Sequence, residues 1–119
     1  MSVKNFLKMR PEYVTGCHDG VGTVKIVSMF GEGELKTPLR FLHYTVLPPL
    51  TAVGAHAHGD DEEIYILLEG EGVMLVDGEE VAVGKGDVIL NKPYGTHALK
   101  NTSDSEELKI LVFEVANIS

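Results

Sequence analysis

The sequence predicts an all-β domain in which antiparallel strands form a closed barrel or a sandwich. Short runs rich in Val, Ile, Leu and Phe recur along the chain, separated mostly by turns that contain Gly, Pro or Asp. Stretches that repeat apolar residues every three or four positions, as an amphipathic helix requires, are nearly absent. About eight short strands at steady spacing are typical of β-sandwiches and barrels.

The predicted strands are recognised by their apolar content and by the turns that follow them. In chain order they are TVKIVSMF (23–30), LRFLHYTVL (39–47), EIYILLEG, the two arms of GVMLVDGEEVAV, GDVILN, THALKN and ELKILVFEV (107–115). The two arms form a predicted hairpin, because Asp77-Gly78 suits the positive φ angles of a type I′ turn. The N-terminal segment VKNFLKMRPEY is expected to hold one helical turn or an extra edge strand.

Length and composition limit the classes of protein to consider. A chain of 119 residues forms one domain, with an N-terminal extension and edge strands over 1–30 and the barrel over 31–119. The net charge of −8 argues against nucleic acid binding, since phosphates need a basic surface. A single cysteine, Cys17, cannot form an internal disulfide. No signal peptide or membrane-length apolar run is recognised, so a cytoplasmic protein without membrane contacts is expected.

The main chemical feature is the stretch GAHAHGDDEEIYILLEGEG. Residues two apart in a strand share a face, so His56 and His58 should project together. Glu63 follows at the start of the next strand, and THALKN places His97 and Asn101 on one face of another. If these faces turn inward, three imidazoles and one carboxylate meet, which is a donor set suited to transition metals. Taken alone, a His-x-His pair is more often polar surface, and the acidic run 60–63 a solvated turn.

The linked spacing of these residues resembles the two motifs of the cupin superfamily. The first motif is Gly, then His-x-His, three or four residues, Glu, six residues and Gly; the second is Gly, a Pro-x-Gly turn, His, three residues and Asn. The matching residues are His56, His58, Glu63 and Gly70, followed by Gly86, Pro93, Gly95, His97 and Asn101. The resemblance extends over roughly residues 39–115. Two departures concern turns: Leu50 stands where the first motif has its leading Gly, and Pro93 and Gly95 fall one place late. The metal-ligand positions do not depart from the pattern.

The resemblance implies a cupin jelly-roll barrel, also called a double-stranded β-helix. It further implies a divalent transition metal (Mn, Fe, Ni, Zn or Cu) bound by His56, His58, Glu63 and His97. Glu62 also satisfies a shorter spacing, but only Glu63 keeps six residues before Gly70. The remaining acids of the run, Asp60, Asp61 and Glu62, are interpreted as the solvated turn.

Cupins include dioxygenases, decarboxylases, isomerases and lyases as well as binding proteins, so the fold does not name the reaction. We expect a metal-dependent enzyme acting on a small oxygenated or anionic metabolite, with a non-catalytic binding or sensing protein as the alternative. Tyr65, on the face of Glu63, is the candidate catalytic residue. Phe41, His43 and Asn101 are candidate cavity residues, although either face of the strand 39–47 can point inward. His18, in the loop GCHDGVG, is expected at the solvent.

A third hypothesis is a purely structural β domain without a metal. The expected partners are a small-molecule ligand or substrate and a second copy of the chain. Related cupins cover their exposed strand edges by forming homodimers, often through the N-terminal strands, here residues 1–30.

Overall fold

The computed structural model describes residues 1–117 and is all-β, as the sequence predicts. Its strands are β1 Glu12–Thr15, β2 Thr23–Phe30, β3 Leu39–Leu47, β4 Ala52–Ala57, β5 Asp61–Glu69, β6 Glu71–Val76, β7 Glu79–Gly84, β8 Val88–Asn91, β9 Thr96–Asn101 and β10 Leu108–Ala116. One short 3-10 turn, Cys17–Asp19, connects β1 to β2. No helix among the described residues has the length and apolar content needed to cross a membrane.

The strands form two antiparallel sheets. The larger sheet has the order β1-β2-β3-β10-β5-β8, and the smaller has the order β4-β9-β6-β7. Some neighbouring strands, such as β3 and β10, are far apart in sequence. This arrangement is typical of Greek-key and jelly-roll domains. This topology brings the first motif, on β4 and β5, close to the second motif on β9.

The two faces of β3 pack into different clusters. Leu47 is fully buried in the main core between the sheets, and Phe41 packs against the same core. Tyr44 and Val46, which alternate with them, belong to a second cluster on the other side of the larger sheet. Strand residues two apart share a face, so His43 lies on the inner face with Phe41. This placement decides the orientation that the sequence left open.

The second cluster is covered by the N-terminal segment of the same chain. The ring of Phe6 lies 4.4 Å from that of Tyr44, and Met9 packs against the cluster. Lys4 donates a hydrogen bond to the carbonyl of Met29. The expected edge strand is present as β1, which ends the larger sheet.

The predicted hairpin joins β6 to β7. Asp77 and Gly78 have φ angles of 48° and 85°, the positive values that a type I′ turn requires. Asp77 also accepts a hydrogen bond through Oδ1 from the backbone N–H of Thr96. The hairpin therefore contacts the first residue of β9, next to His97.

Candidate metal centre and adjoining cavity

Four side chains from three strand regions meet between the sheets. The nitrogen and oxygen atoms that His56, His58, Glu63 and His97 offer all lie within 4.8 Å of one another. Oε1 of Glu63 lies 3.1 Å from Nε2 of His97 and 3.5 Å from Nε2 of His58. The two Nε2 atoms are 3.3 Å apart. The four residues singled out by their spacing are thus together in space.

Strand pairing explains how distant residues meet. His56 on β4 is paired directly with His97 on β9, and directly paired residues project from the same face. The backbone N–H of His58, just after β4, donates to the carbonyl of Gly95. Glu63 lies on β5, where the odd-numbered residues from Asp61 to Leu67 are buried and Glu62 is exposed. The structure therefore brings Glu63, and not Glu62, to the cluster.

The cluster fits a divalent transition metal. Such an ion binds nitrogen and oxygen at about 2.0–2.2 Å, so adjacent ligand atoms are about 3–3.5 Å apart, which matches the separations around Glu63. Oε1 of Glu63 is buried and accepts no hydrogen bond from the described residues. A buried carboxylate oxygen without a partner is costly, and a cation would satisfy it.

His58 is held from behind by groups outside the cluster. Its Nδ1 lies 2.9 Å from Oδ1 of Asp61 and 3.5 Å from Oε1 of Glu114. Arg40 approaches the other oxygen of each carboxylate, at 3.2 Å for Asp61 and 3.5 Å for Glu114. With Nδ1–H donated to Asp61, Nε2 of His58 is left free as a metal ligand.

Asp61 corrects the interpretation of the acidic run. It was expected in a solvated turn, but it is only 9 % exposed and belongs to β5. Asp60 and Glu62 are exposed, as expected. The alternation of β5 places odd-numbered residues inward, and this periodicity was the signal in the sequence that could have separated Asp61 from its neighbours.

His56 is held by its own strand and by the loop before β2. Its Nδ1 lies 3.1 Å from the carbonyl oxygen of Gly54, so donation there leaves Nε2 for a metal. The ring of His18 stacks on that of His56, with centroids 3.8 Å apart and planes 15° apart. His18 is exposed, as expected, but it also borders the site. No motif spacing marks it in the sequence.

Burial and charge set the protonation of the site. Burial raises the pKa of Glu63, but interactions with His97, and then with His58 and Tyr65, outweigh it and leave the pKa below its ordinary value. Burial lowers the pKa of His56. Burial, and then the negative charge of Glu63, raise the pKa of Tyr65 well above its usual range. At neutral pH the site therefore contains a carboxylate, a neutral His56 and a protonated phenol.

A cavity of about 190 Å³ adjoins the cluster. Its lining consists of Cys17, His18, Ile26, Phe41, His43, Thr45, Val53, His56, Glu63, Tyr65, Ile110 and Val112. The lining includes Phe41, His43 and Tyr65, which the sequence suggested for it. The Tyr65 hydroxyl lies 3.1 Å from Nε2 of His97. A larger depression of about 680 Å³, beside Asp61 and Pro93, contains none of the four clustered side chains.

Asn101 has a structural position instead of the expected place in the cavity. It is fully buried, and its Nδ2 donates to the carbonyls of Leu47, Pro48 and Glu106. Its Oδ1 accepts from the N–H of Ser103. These contacts join the end of β3 to the loop before β10. The alternation of β9 correctly predicted an inward side chain, but not which end of the barrel it reaches.

Comparison with known proteins agrees with this geometry. Residues 43–114 match the cupin domain family. The chain is 30% identical to an oxalate-binding protein of Thermotoga maritima over 107 residues, which is 88% of each chain. It superposes with a TM-score of 0.94 on the crystal structure of a predicted oxalate decarboxylase from Thermotoga maritima, at 28% identity, covering 98% of this chain and 100% of that one.

A more distant structure shows the same fold. The polyketide cyclase RemF from Streptomyces resistomycificus superposes with a TM-score of 0.79 at 16% identity, covering 98% of this chain and 80% of that one. The family match, the two-sheet topology and the His/Glu cluster lead to the same assignment. The chain belongs to the cupin domain family.

Proposed function

We propose that this cupin binds a divalent transition metal and acts as a metal-dependent enzyme on a small carboxylate. The observation that carries the proposal is the position of the cluster at the wall of the cavity. His56 and Glu63 belong to both the cluster and the cavity lining. A small molecule in the cavity would therefore lie directly against the metal. Mn, Fe, Ni, Zn and Cu all suit this donor set.

His56, His58, Glu63 and His97 would hold the metal. A bound divalent ion supplies a Lewis acid that polarises a carboxylate or carbonyl oxygen. Asp61 fixes the tautomer of His58 through Nδ1, and the carbonyl of Gly54 does the same for His56. These contacts present the metal-binding nitrogens in one orientation, which limits the cost of reorganisation.

Tyr65 is the proton donor that this proposal assigns. Its hydroxyl is fully protonated at neutral pH, because burial and Glu63 raise its pKa. It borders the cavity next to Glu63, so it is able to donate a hydrogen bond or a proton to an oxygen of the substrate. Decarboxylation, isomerisation and lyase reactions that pass through an enolate or carbanion need a proton at a later step, which such a donor supplies. The resemblance to a predicted oxalate decarboxylase supports a carboxylate substrate.

The second candidate function is non-catalytic binding of a small carboxylate. Two observations favour it. One relative is named an oxalate-binding protein. In addition, Glu63 is the one carboxylate among the described residues that line the cavity, and a metal would occupy it. Tyr65, the thiol of Cys17 and the imidazoles of His18 and His43 are then the lining groups left for proton transfer.

One experiment tests both functions. The protein is stripped of metal, reloaded separately with Mn²⁺, Fe²⁺, Ni²⁺, Cu²⁺ or Zn²⁺, and titrated with oxalate and other small carboxylates while products are analysed. The enzyme proposal predicts metal-dependent binding and turnover. Tyr65→Phe should lose turnover by about 10²-fold or more, whereas its affinity for oxalate should fall by about tenfold at most, the cost of one hydrogen bond. Binding without turnover for every metal would favour the binding protein, and absence of binding would contradict both.

A further inference from the structure

The cavity next to the metal centre is lined by apolar side chains as well as by the ligating residues His56 and Glu63. We infer that the site takes a monocarboxylate with an adjacent oxygen and a short apolar chain, rather than oxalate or a longer dicarboxylate. This inference rests on the proposed function, because it assumes that the carboxylate end faces the metal. The inference adds the chemical character of the part of the ligand that lies away from the metal.

The apolar part of the lining, or apolar wall, comes from strands of both sheets. It consists of Ile26, Phe41, Val53, Ile110 and Val112. Val112 on β10 is paired directly with His43 on β3 and with Tyr65 on β5, so these side chains share the inner face. The rings of Phe41 and His43 stack face to face, with centroids 4.2 Å apart. Apolar surface of this kind favours contact with hydrocarbon over water.

The volume of the cavity argues against oxalate as the molecule that fills it. Its volume of about 190 Å³ corresponds to about six water molecules at about 30 Å³ each. The two carboxylates of oxalate both seek the metal or polar partners. The apolar wall would then remain in contact with water, so burial of apolar surface would contribute nothing to the binding of oxalate.

The charges around the cavity argue against a longer dicarboxylate. No lysine or arginine appears in its lining within residues 1–117, so a second carboxylate would find no cationic partner away from the metal. Arg40, on the same strand as Phe41, is engaged by Asp61, Glu114 and Glu32. Burial lowers the pKa of His43, which keeps its imidazole neutral at pH 7. A buried carboxylate that finds no cation is costly even where hydroxyls or neutral imidazoles donate hydrogen bonds to it.

A series of 2-oxo acids tests the inference. Calorimetric titration of the Ni²⁺-loaded protein with pyruvate, 2-oxobutanoate and 2-oxopentanoate should show affinity rising on the order of fourfold per added methylene. 2-Oxoglutarate has the same five carbons as 2-oxopentanoate but ends in a carboxylate. It should bind at least about tenfold more weakly, because its second charge is buried unpaired.

Two matched variants locate the effect. Val112→Thr places a hydroxyl on the wall, whereas Val46→Thr makes the same change in the second cluster, where valine is equally buried at 7 %. Val112→Thr should flatten the chain-length series, and Val46→Thr should leave it unchanged. Val46→Thr, which lies outside the cavity, should also bind oxalate as the wild type does.

The outcomes separate this inference from the proposed function. If oxalate binds but affinity is flat or falls with chain length, or if 2-oxoglutarate binds as tightly as 2-oxopentanoate, the apolar-chain inference alone is overturned. If neither oxalate nor any 2-oxo acid binds to the metal-loaded protein, the proposed function fails as well. The comparison between the two five-carbon acids uses the wild-type protein, so it stands even if Val112→Thr does not fold.

Discussion

Asp61 orients a metal-ligating histidine without itself belonging to the four-residue cluster. Its Oδ1 is 2.9 Å from Nδ1 of His58, and its other oxygen faces Arg40. Hydrogen bonds of this type fix the tautomer and the ring orientation of a ligating imidazole. The effect of losing Asp61 should therefore appear in metal affinity.

Asp61→Asn should lower the affinity for the metal by about 10- to 100-fold, the typical cost of losing such a partner. Asp60→Asn is the matched control, since Asp60 is the exposed preceding residue and should leave metal affinity unchanged. Competition with a chelator of known affinity measures both, alongside a thermal melt to verify folding. Equal affinities for the two variants would mean that Asp61 does not position His58.

His43 gives the metal-free protein a pH-dependent stability. Burial lowers its pKa from the ordinary 6.5, although Glu63 and Glu12 partly oppose this. Below its ordinary pKa the unfolded chain therefore binds a proton that the folded chain does not, so stability falls as the pH drops below 6.5. The loss is complete once the pH has passed below the folded-state pKa.

His43→Phe should show a shallower decline of stability over this range, because phenylalanine does not titrate. Urea unfolding in the presence of a chelator, at intervals between about pH 7.5 and 5.5, gives the free energy of unfolding for both proteins. Identical slopes for the two proteins would show that His43 contributes nothing to the pH dependence.

At the scale of elements, a close backbone contact joins the loop before β2 to β4. A Cβ atom on Gly54 would lie 2.0 Å from the carbonyl oxygen of His18 and 2.8 Å from the backbone nitrogen of Gly20. Both neighbours are backbone atoms, so the clash could not be relieved by rotating a side chain. This contact holds His18 against His56.

Gly54→Ala should therefore reduce the free energy of unfolding by about 1–3 kcal/mol, the usual cost of overpacking. Gly59→Ala is the control, because a Cβ there meets nothing within 4 Å and its effect should stay within about 0.5 kcal/mol. Chemical denaturation of the metal-free proteins measures both changes. A Gly54→Ala variant as stable as Gly59→Ala would refute the close packing of this loop.

The strands show which features of the fold sequence periodicity can predict. The predicted runs 23–30 and 39–47 coincide with β2 and β3, because in each the apolar run is bounded by turn-forming residues. The hairpin at Asp77-Gly78 was also predicted, since few residue pairs accept two positive φ angles. Periodicity fixed which residues of a strand share a face, but for β3 it did not show which face lies inward.

The site shows the same limits. Motif spacing identified the four clustered residues, because the pairing of β4 with β9 and the alternation along β5 bring residues at that spacing together. It did not identify Glu114, Cys17 or His18, which reach the site through long-range packing of β10 and of the loop before β2. It placed Asn101 in the cavity, because alternation reports the face of a strand and not the position along the barrel. Local patterns carry no information on such distant contacts.

At the scale of the whole molecule, the exposed edge strands of the larger sheet predict a homodimer. β1 and β8 end the larger sheet, and Val88 and Leu90 on β8 are 65 % and 46 % exposed. Exposed apolar edge strands are usually covered by a partner. We therefore expect a homodimer, with twice the chain mass of 12.9 kDa, in light scattering at micromolar concentration. A mass of one chain under these conditions would disprove the expected dimer.

The metal content of the purified protein tests the central claim most directly. Elemental analysis of the wild type and of Glu63→Gln and Glu62→Gln compares adjacent glutamates, one 6 % exposed in the cluster and one at the surface. The wild type and Glu62→Gln should each carry about one divalent transition metal per chain, and Glu63→Gln less than about a tenth. A metal-free wild type, or equal metal content in Glu63→Gln, would contradict this account.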